Sequence, residues 1–274
     1  GPHPVVIHYM DSVGIREELS DMCRRLATVG YYVLLPNLYY RKARYVDLDA
    51  NRLRDPAYAE KLELMWTLNR SLTNTMIVED TEALLSFIDQ DPVARNERIG
   101  VVGYCLSGRM VYRVAGAFPE RIAAAASVYG ARLVTDLPDS AHLLTDKIKG
   151  EMYFACADHD DYVTRADLDL IASLVKRHGI RGGIEFYPGS HHGFAFPERK
   201  IYDLQGPADH VVPDRLPPKR VGGAEQFPGE GDDLEQQGPH LRLLGGTVPG
   251  DPSGCRGPSN RQTYGTVGGP PCKQ

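Results

Sequence analysis

The chain has 274 residues, of which 42% are hydrophobic, enough apolar material for one substantial core and for one domain or at most two. Its 31 Lys and Arg against 36 Asp and Glu leave a formal net charge of -5, so no basic surface for nucleic acid or an anionic membrane stands out, and small ligands are the partner class left open. No apolar run approaches the roughly 18 to 20 residues that cross a bilayer, and five cysteines without CxxC spacing fit neither a disulfide framework nor a zinc site, so the chain reads as a soluble, cytoplasmic protein in a reducing compartment.

The sequence opens on "GPHPVV" without a Met or a signal peptide and runs at once into a strand, which predicts residues missing upstream. From residue 5 to about 203, short β-branched or apolar runs alternate with helical patterns. The expected strands are 5–9, 31–36, 99–104, 123–129, 152–157 and 184–188. Between them, "IREELSDMCRRLATVG" places Ile15, Leu19, Met22 and Leu26 on one helical face and stops at Gly30. "MIVEDTEALLSFIDQ", "RMVYRVAGAF" and "ADLDLIASLVKRHG" behave likewise. Strands that are continuously apolar and separated by helices predict an α/β fold of three layers, with a mostly parallel sheet covered on both faces.

Beyond Asp203 the composition breaks. Residues 206–274 hold 14 of the 28 Gly and 11 of the 20 Pro, and no apolar period persists. Such a composition cannot bury enough surface to order itself, so 204–274 is expected to be a disordered tail in place of the usual last helix. The abruptness of the break favours a coding frame lost near residue 203 over a natural linker.

In an open parallel sheet the ligand site gathers at the carboxyl ends of the strands. "GYCLSG" (103–108) lies there, between the strand "RIGVV" and a helix. Strand, Gly-x-nucleophile, helix is the pattern of a nucleophile elbow: small neighbours permit a strained turn, and N–H groups at the helix start, Leu106 first, can hold a developing oxyanion. A thiol at that place is expected to favour its thiolate. Ser107 stands where the tightest elbows have a second glycine. Further along, "EMYFACA" runs into "DHDDYVT", with Asp158, Asp160 and Asp161 at its carboxyl end, and "GIEFYP" runs into "GSHHGFAF", with His191 and His192 beyond its own. Singly, an Asp-rich turn is a helix cap and a loop His is solvated; nucleophile, acid and histidine in this order after successive strands point to a catalytic triad.

These stretches, with "YMDSVGIREEL" and "GYYVLLPNLYYR" near the start, resemble the dienelactone hydrolase family of α/β-hydrolases over residues 5 to about 203. The resemblance implies Cys105 as nucleophile, His192 as base and Asp160 as its orienting acid, with Asp158 as runner-up and His191 as a structural neighbour. It also implies that Asp11 interacts with the resting nucleophile in the substrate site, although a helix-capping Asp reads equally well there, and that the Ser12 N–H joins that of Leu106 in the oxyanion hole. The family's carboxylate-binding arginine four residues after the His is Phe196 here, which leaves Arg199 as the nearest substitute. Tyr39, Tyr40, Arg41 and Trp66 are candidates to shape the pocket.

The resulting expectation is a hydrolase that cleaves a small ester or lactone through a thioester acyl-enzyme, without metal or organic cofactor, as a monomer or homodimer. Two alternatives belong to other classes: a catalytically inert binding protein on the same fold, and a thiol redox protein pairing Cys105 with Cys156.

Overall fold

The computed structural model describes residues 1–202 and the backbone of 241–244. Six strands alternate with helices: β1 (His3–Tyr9), α1 (Glu17–Thr28), β2 (Tyr32–Pro36), α2 (Ala59–Arg70), α3 (Asn74–Asp89), β3 (Ala94–Tyr104), α4 (Gly108–Ala117), β4 (Ile122–Val128), β5 (Glu151–His159), α5 (Arg165–Arg177) and β6 (Gly182–His191). A short strand β7 (Leu241–Leu244) joins the edge, giving the order β6-β5-β4-β3-β1-β2-β7. Every pairing is parallel.

All five residues of β2 and the last five of β1 are buried. Successive strand side chains point to opposite faces, so an unbroken buried run means that both faces are covered. Ile7, Leu34, Val101, Val128 and Phe154 are fully enclosed in that core. Each such side chain contributes about 1.5–3 kcal/mol of burial. α1 buries Leu19, Met22, Cys23 and Leu26, the stripe that its sequence spacing predicts.

The expected strands and helices are present, with shifted ends. β3 starts five residues earlier than expected, and β6 runs on to His191, paired with His159. Tyr129, read as the end of β4, has left the strand with φ 35. α2 was not anticipated. It is the least amphipathic helix by sequence; Met65 and Trp66 pack in a separate small apolar cluster with Val13, Leu48 and Tyr58, while Leu68 joins the main core. The expected disorder of 204–274, the absent last helix and the lost frame lie outside the described residues, apart from the backbone of β7. No helix among the described residues is long and apolar enough to cross a membrane.

Candidate active site

The turn after β3 carries the candidate nucleophile. Cys105 has φ 52, the left-handed region that non-glycine residues occupy only when the surroundings enforce it. A short 3-10 turn over Cys105–Ser107 leads directly into α4. Close packing makes this corner possible. A Cβ on Gly103 would sit 2.6 Å from the Ser107 carbonyl oxygen, and one on Gly108 would sit 2.3 Å from Gly130 Cα. Ser107, the departure from the tightest elbow, turns out to brace it. Its fully buried hydroxyl accepts from the Tyr104 N–H at 2.9 Å and lies 3.1 Å from the Tyr104 carbonyl and 3.3 Å from that of Tyr9.

The structure brings Cys105, His192 and Asp160 into one site. His192 follows the end of β6, and its Nδ1 lies 3.0 and 2.9 Å from the two carboxylate oxygens of Asp160. Asp160 follows the end of β5, has a side chain only 3% exposed, and also accepts from the Tyr162 N–H at 2.9 Å. Asp158 makes no hydrogen bond to His192 among the described residues. It sits at a bulge in the β5–β6 pairing, and its half-exposed carboxylate accepts from the Gly189 N–H at 3.1 Å instead. His191 is exposed, with its ring against that of His159. The rings of Tyr129 and Tyr162 pack against the His192 imidazole at 5.0 and 4.5 Å between centroids.

The charges support one another. With Nδ1–H donated to Asp160, Nε2 is left as the working nitrogen. It is buried and has no partner at ordinary hydrogen-bond geometry among the described residues, a slack typical of a resting site that tightens on substrate. Burial presses the His192 imidazolium down, but the negative charge of a Cys105 thiolate and the bond to Asp160 outweigh it and lift His192 to about 9. Burial likewise pushes the Cys105 thiol up, and the Asp11 carboxylate adds to that; the positive charge of His192 and the Ser12 hydroxyl, 3.4 Å from the sulfur, leave it below its ordinary value. Cys23 and Cys156 are buried free thiols pushed up to about 12 by burial, so neither shares this activation.

Two peptide planes next to the sulfur are held. The Ala131 N–H donates to the Cys105 carbonyl at 2.8 Å, fixing the peptide that carries the Leu106 N–H, and the Gly14 N–H donates to the Asp11 carbonyl at 3.2 Å, fixing the peptide that carries the Ser12 N–H. The Tyr39 hydroxyl secures the same loop from behind, 2.9 Å from the Ser12 carbonyl. Asp11 does not cap α1, whose N-cap is Arg16. Its buried carboxylate accepts from Arg16 at 2.7 and 3.2 Å and from the Val13 N–H. Arg16 also pairs with Glu198 at 2.5 Å and lies over the Phe196 ring, so the first loop and the His-bearing loop are tied together.

Above the sulfur lies a small open cleft of about 110 Å³. Leu53, Met65 and Trp66 form one wall, and Asp11, Ser12, Cys105, Leu106 and His192 the floor. Arg109, Arg132 and Arg199 line it as well. Of the four candidates to shape the pocket, Trp66 does so and Tyr39 supports the floor, whereas Tyr40 and Arg41 bond to Asp80 away from the cleft. The sequence reading missed Arg16, Arg109, Arg132 and Tyr162. Arg109 had a local signal, one helical turn after Cys105; the others reach the site from loops without one. Among the described residues no group of three or more His, Cys, Asp or Glu could hold a metal ion.

A parallel sheet whose central strand ends in a sharp turn into a helix, with the site at the carboxyl ends of the strands, defines an α/β-hydrolase. The comparisons narrow the class. The model of the "Dienelactone hydrolase family" matches residues 1–211, and the chain belongs to that family of hydrolases. It is 29% identical over 212 residues to a Synechocystis protein named "Putative carboxymethylenebutenolidase", covering 76% of this chain and 82% of the relative. A Yersinia pestis protein of the same name is 28% identical over 213 residues, covering 76% and 75%. Among solved structures, a "Putative Dienelactone Hydrolase" from Klebsiella pneumoniae superposes with a TM-score of 0.63 at 21% identity, covering 76% of this chain and 83% of that one, a likeness of fold.

Proposed function

We propose that the protein cleaves a small carboxylic ester or lactone through a Cys105–His192–Asp160 triad. The observation that carries this reading is the His192 imidazole held on the Asp160 carboxylate at 2.9 Å, in the cleft that the strained Cys105 turn also lines; the directions in which Cys105 and His192 shift, down and up, fit a resting thiolate–imidazolium pair. The thiolate adds to the substrate carbonyl, and the Leu106 and Ser12 N–H groups hold the oxyanion. Collapse of the adduct breaks the carbon–oxygen bond, and the leaving oxygen takes the proton of His192. Neutral His192 then removes a proton from water, the hydroxide adds to the thioester carbonyl, and the carbon–sulfur bond breaks to return the thiolate and release the acid.

The Arg132 and Arg199 side chains line the cleft without an ion pair or hydrogen bond among the described residues. Arg132 is held there with φ 53. Two free guanidinium groups favour a substrate that carries a negative charge, with Arg199 in the part of the arginine that Phe196 replaces. The redox alternative is disfavoured by Cys156, whose buried thiol is raised where a disulfide partner's would be lowered.

Hydrolysis of p-nitrophenyl acetate and of an anionic enol-lactone by wild type and Cys105→Ala tests the reading. The variant is expected to lose on the order of 10⁴-fold or more in kcat on both, and the wild type to prefer the anionic compound in kcat/KM. Equal rates for the two proteins would remove Cys105 from the mechanism.

A further inference from the structure

Arg109 is buried, with 8% of its surface exposed, yet it has no carboxylate partner among the described residues. Its Nη1 donates to the Leu106 carbonyl at 3.1 Å and its Nη2 to the Leu72 carbonyl at 3.2 Å. Buried charges are ordinarily paired, because losing water is expensive. Burial here is felt: with the neighbouring charge of Arg132, it brings Arg109 down to about 10. Two backbone carbonyls could be bridged by a neutral amide at less expense, so the retained charge calls for another reason.

We propose that Arg109 is a positioning residue for Cys105, which clamps the first turn after the nucleophile to the α2–α3 connection and places a fixed positive charge beside the thiolate. The two residues are four apart, on the same side of the turn that leads into α4, and both line the cleft. The Leu106 carbonyl held by Arg109 belongs to the residue whose N–H is the first oxyanion donor, so the clamp acts on the segment that must not move during acylation.

The charges around the pair make the role specific. His192 favours the thiolate and Asp11 opposes it, itself held by Arg16. Tyr39, Tyr129 and Tyr162 are driven further towards neutrality by the Cys105 charge and by burial, so they supply no counter-charge. Asp139 and the Cys105 thiolate favour charged Arg109, and Arg132 disfavours it. Arg109 is thus a buried cation in the helix that follows the nucleophile, on the side of the thiolate with His192 and against Asp11.

The proposal rests on Cys105 as the nucleophile, and its test needs no substrate. The rate of Cys105 alkylation by iodoacetamide, resolved from the other cysteines by peptide mass spectrometry, is measured against pH for wild type, Arg109→Lys, Arg109→Gln and Arg109→Met. Loss of the charge in the Gln and Met variants is expected to move the midpoint up by about one pH unit, roughly a tenfold slower reaction at neutral pH; the Lys variant should stay near wild type. In parallel, kcat/KM for p-nitrophenyl acetate is expected to fall in the neutral variants through kcat. Unchanged midpoints in the Gln and Met variants, with only a lower Tm, would overturn the proposal. So would failure of both neutral variants to fold while the Lys variant folds, which assigns Arg109 to stability alone. A low midpoint in wild type together with a fully active Cys105→Ala would instead sink the nucleophile assignment and leave the alkylation result standing.

Discussion

At the scale of single residues, the site is governed by one coupled proton inventory. His192 at about 9 and Cys105 below its ordinary value titrate as a pair, so the profile belongs to both groups. The signs follow from the directions. Cys105 gains its thiolate as pH rises through a value below that of a free thiol, and His192 loses its proton as pH rises through about 9. A bell-shaped kcat/KM is therefore expected, with its basic limb near 9. In His192→Ala, burial and Asp11 act on Cys105 without the opposing charge, so its alkylation midpoint is expected to rise above that of a free thiol and the rate at pH 7 to fall by roughly tenfold or more. A midpoint unmoved by this substitution would show that the imidazole does not sustain the thiolate. The sequence discloses the residue types and their order, and the family resemblance already prefers Asp160 to Asp158, whereas the bulge at Asp158, whose carboxylate takes the Gly189 N–H, is marked by no local pattern.

At the scale of elements, the Cys105 turn is braced by the ends of two strands. Ser107 joins the end of β3 to that of β1 through Tyr104 and Tyr9. Ser107→Gly restores the smaller residue of the tightest elbows but leaves the buried Tyr104 N–H without its acceptor. It is expected to lower stability by about 1–3 kcal/mol, read as a lower Tm in thermal unfolding; a Tm equal to wild type would mean that the hydroxyl braces nothing. The strand and helix pattern was legible because β1, β2 and the second half of β3 are apolar runs, α1, α3 and α5 show a buried stripe, and α4 is buried almost all round. α2 was not, because its few buried residues are split between the small cluster at Met65 and the main core at Leu68, and its other faces are polar. A helix that covers a site has little apolar periodicity to announce it.

At the scale of the whole molecule, one buried group is expected to make stability depend on pH. His8, near the carboxyl end of β1, is fully buried, stacks on Tyr104 at 5.2 Å and has no partner for either ring nitrogen among the described residues. Burial lowers it from 6.5 to about 4. The unfolded chain therefore binds the proton first as pH falls, and the folded state loses stability between about 6.5 and 4, by up to about 3 kcal/mol at the lower end. His8→Phe is expected to flatten the dependence of Tm on pH over that interval; an equally steep slope in the variant would assign the acid sensitivity to other groups.

The sequence by itself determined the parallel α/β architecture, because buried strands must be continuously apolar and covering helices must carry one apolar stripe. It also determined which side of the sheet holds the chemistry, since Cys105, Asp160 and His192 each follow a strand. Only the tertiary structure decided that Arg16 holds Asp11. It alone brought Arg109, Arg132 and Arg199 around one cleft. Those relations join residues far apart in the chain, and their distances depend on how the loops close over the sheet, which local periodicity does not encode. "GYCLSG" could be read as an elbow from six letters; the reason its serine serves there lies in the carbonyl of Tyr9, 98 residues away.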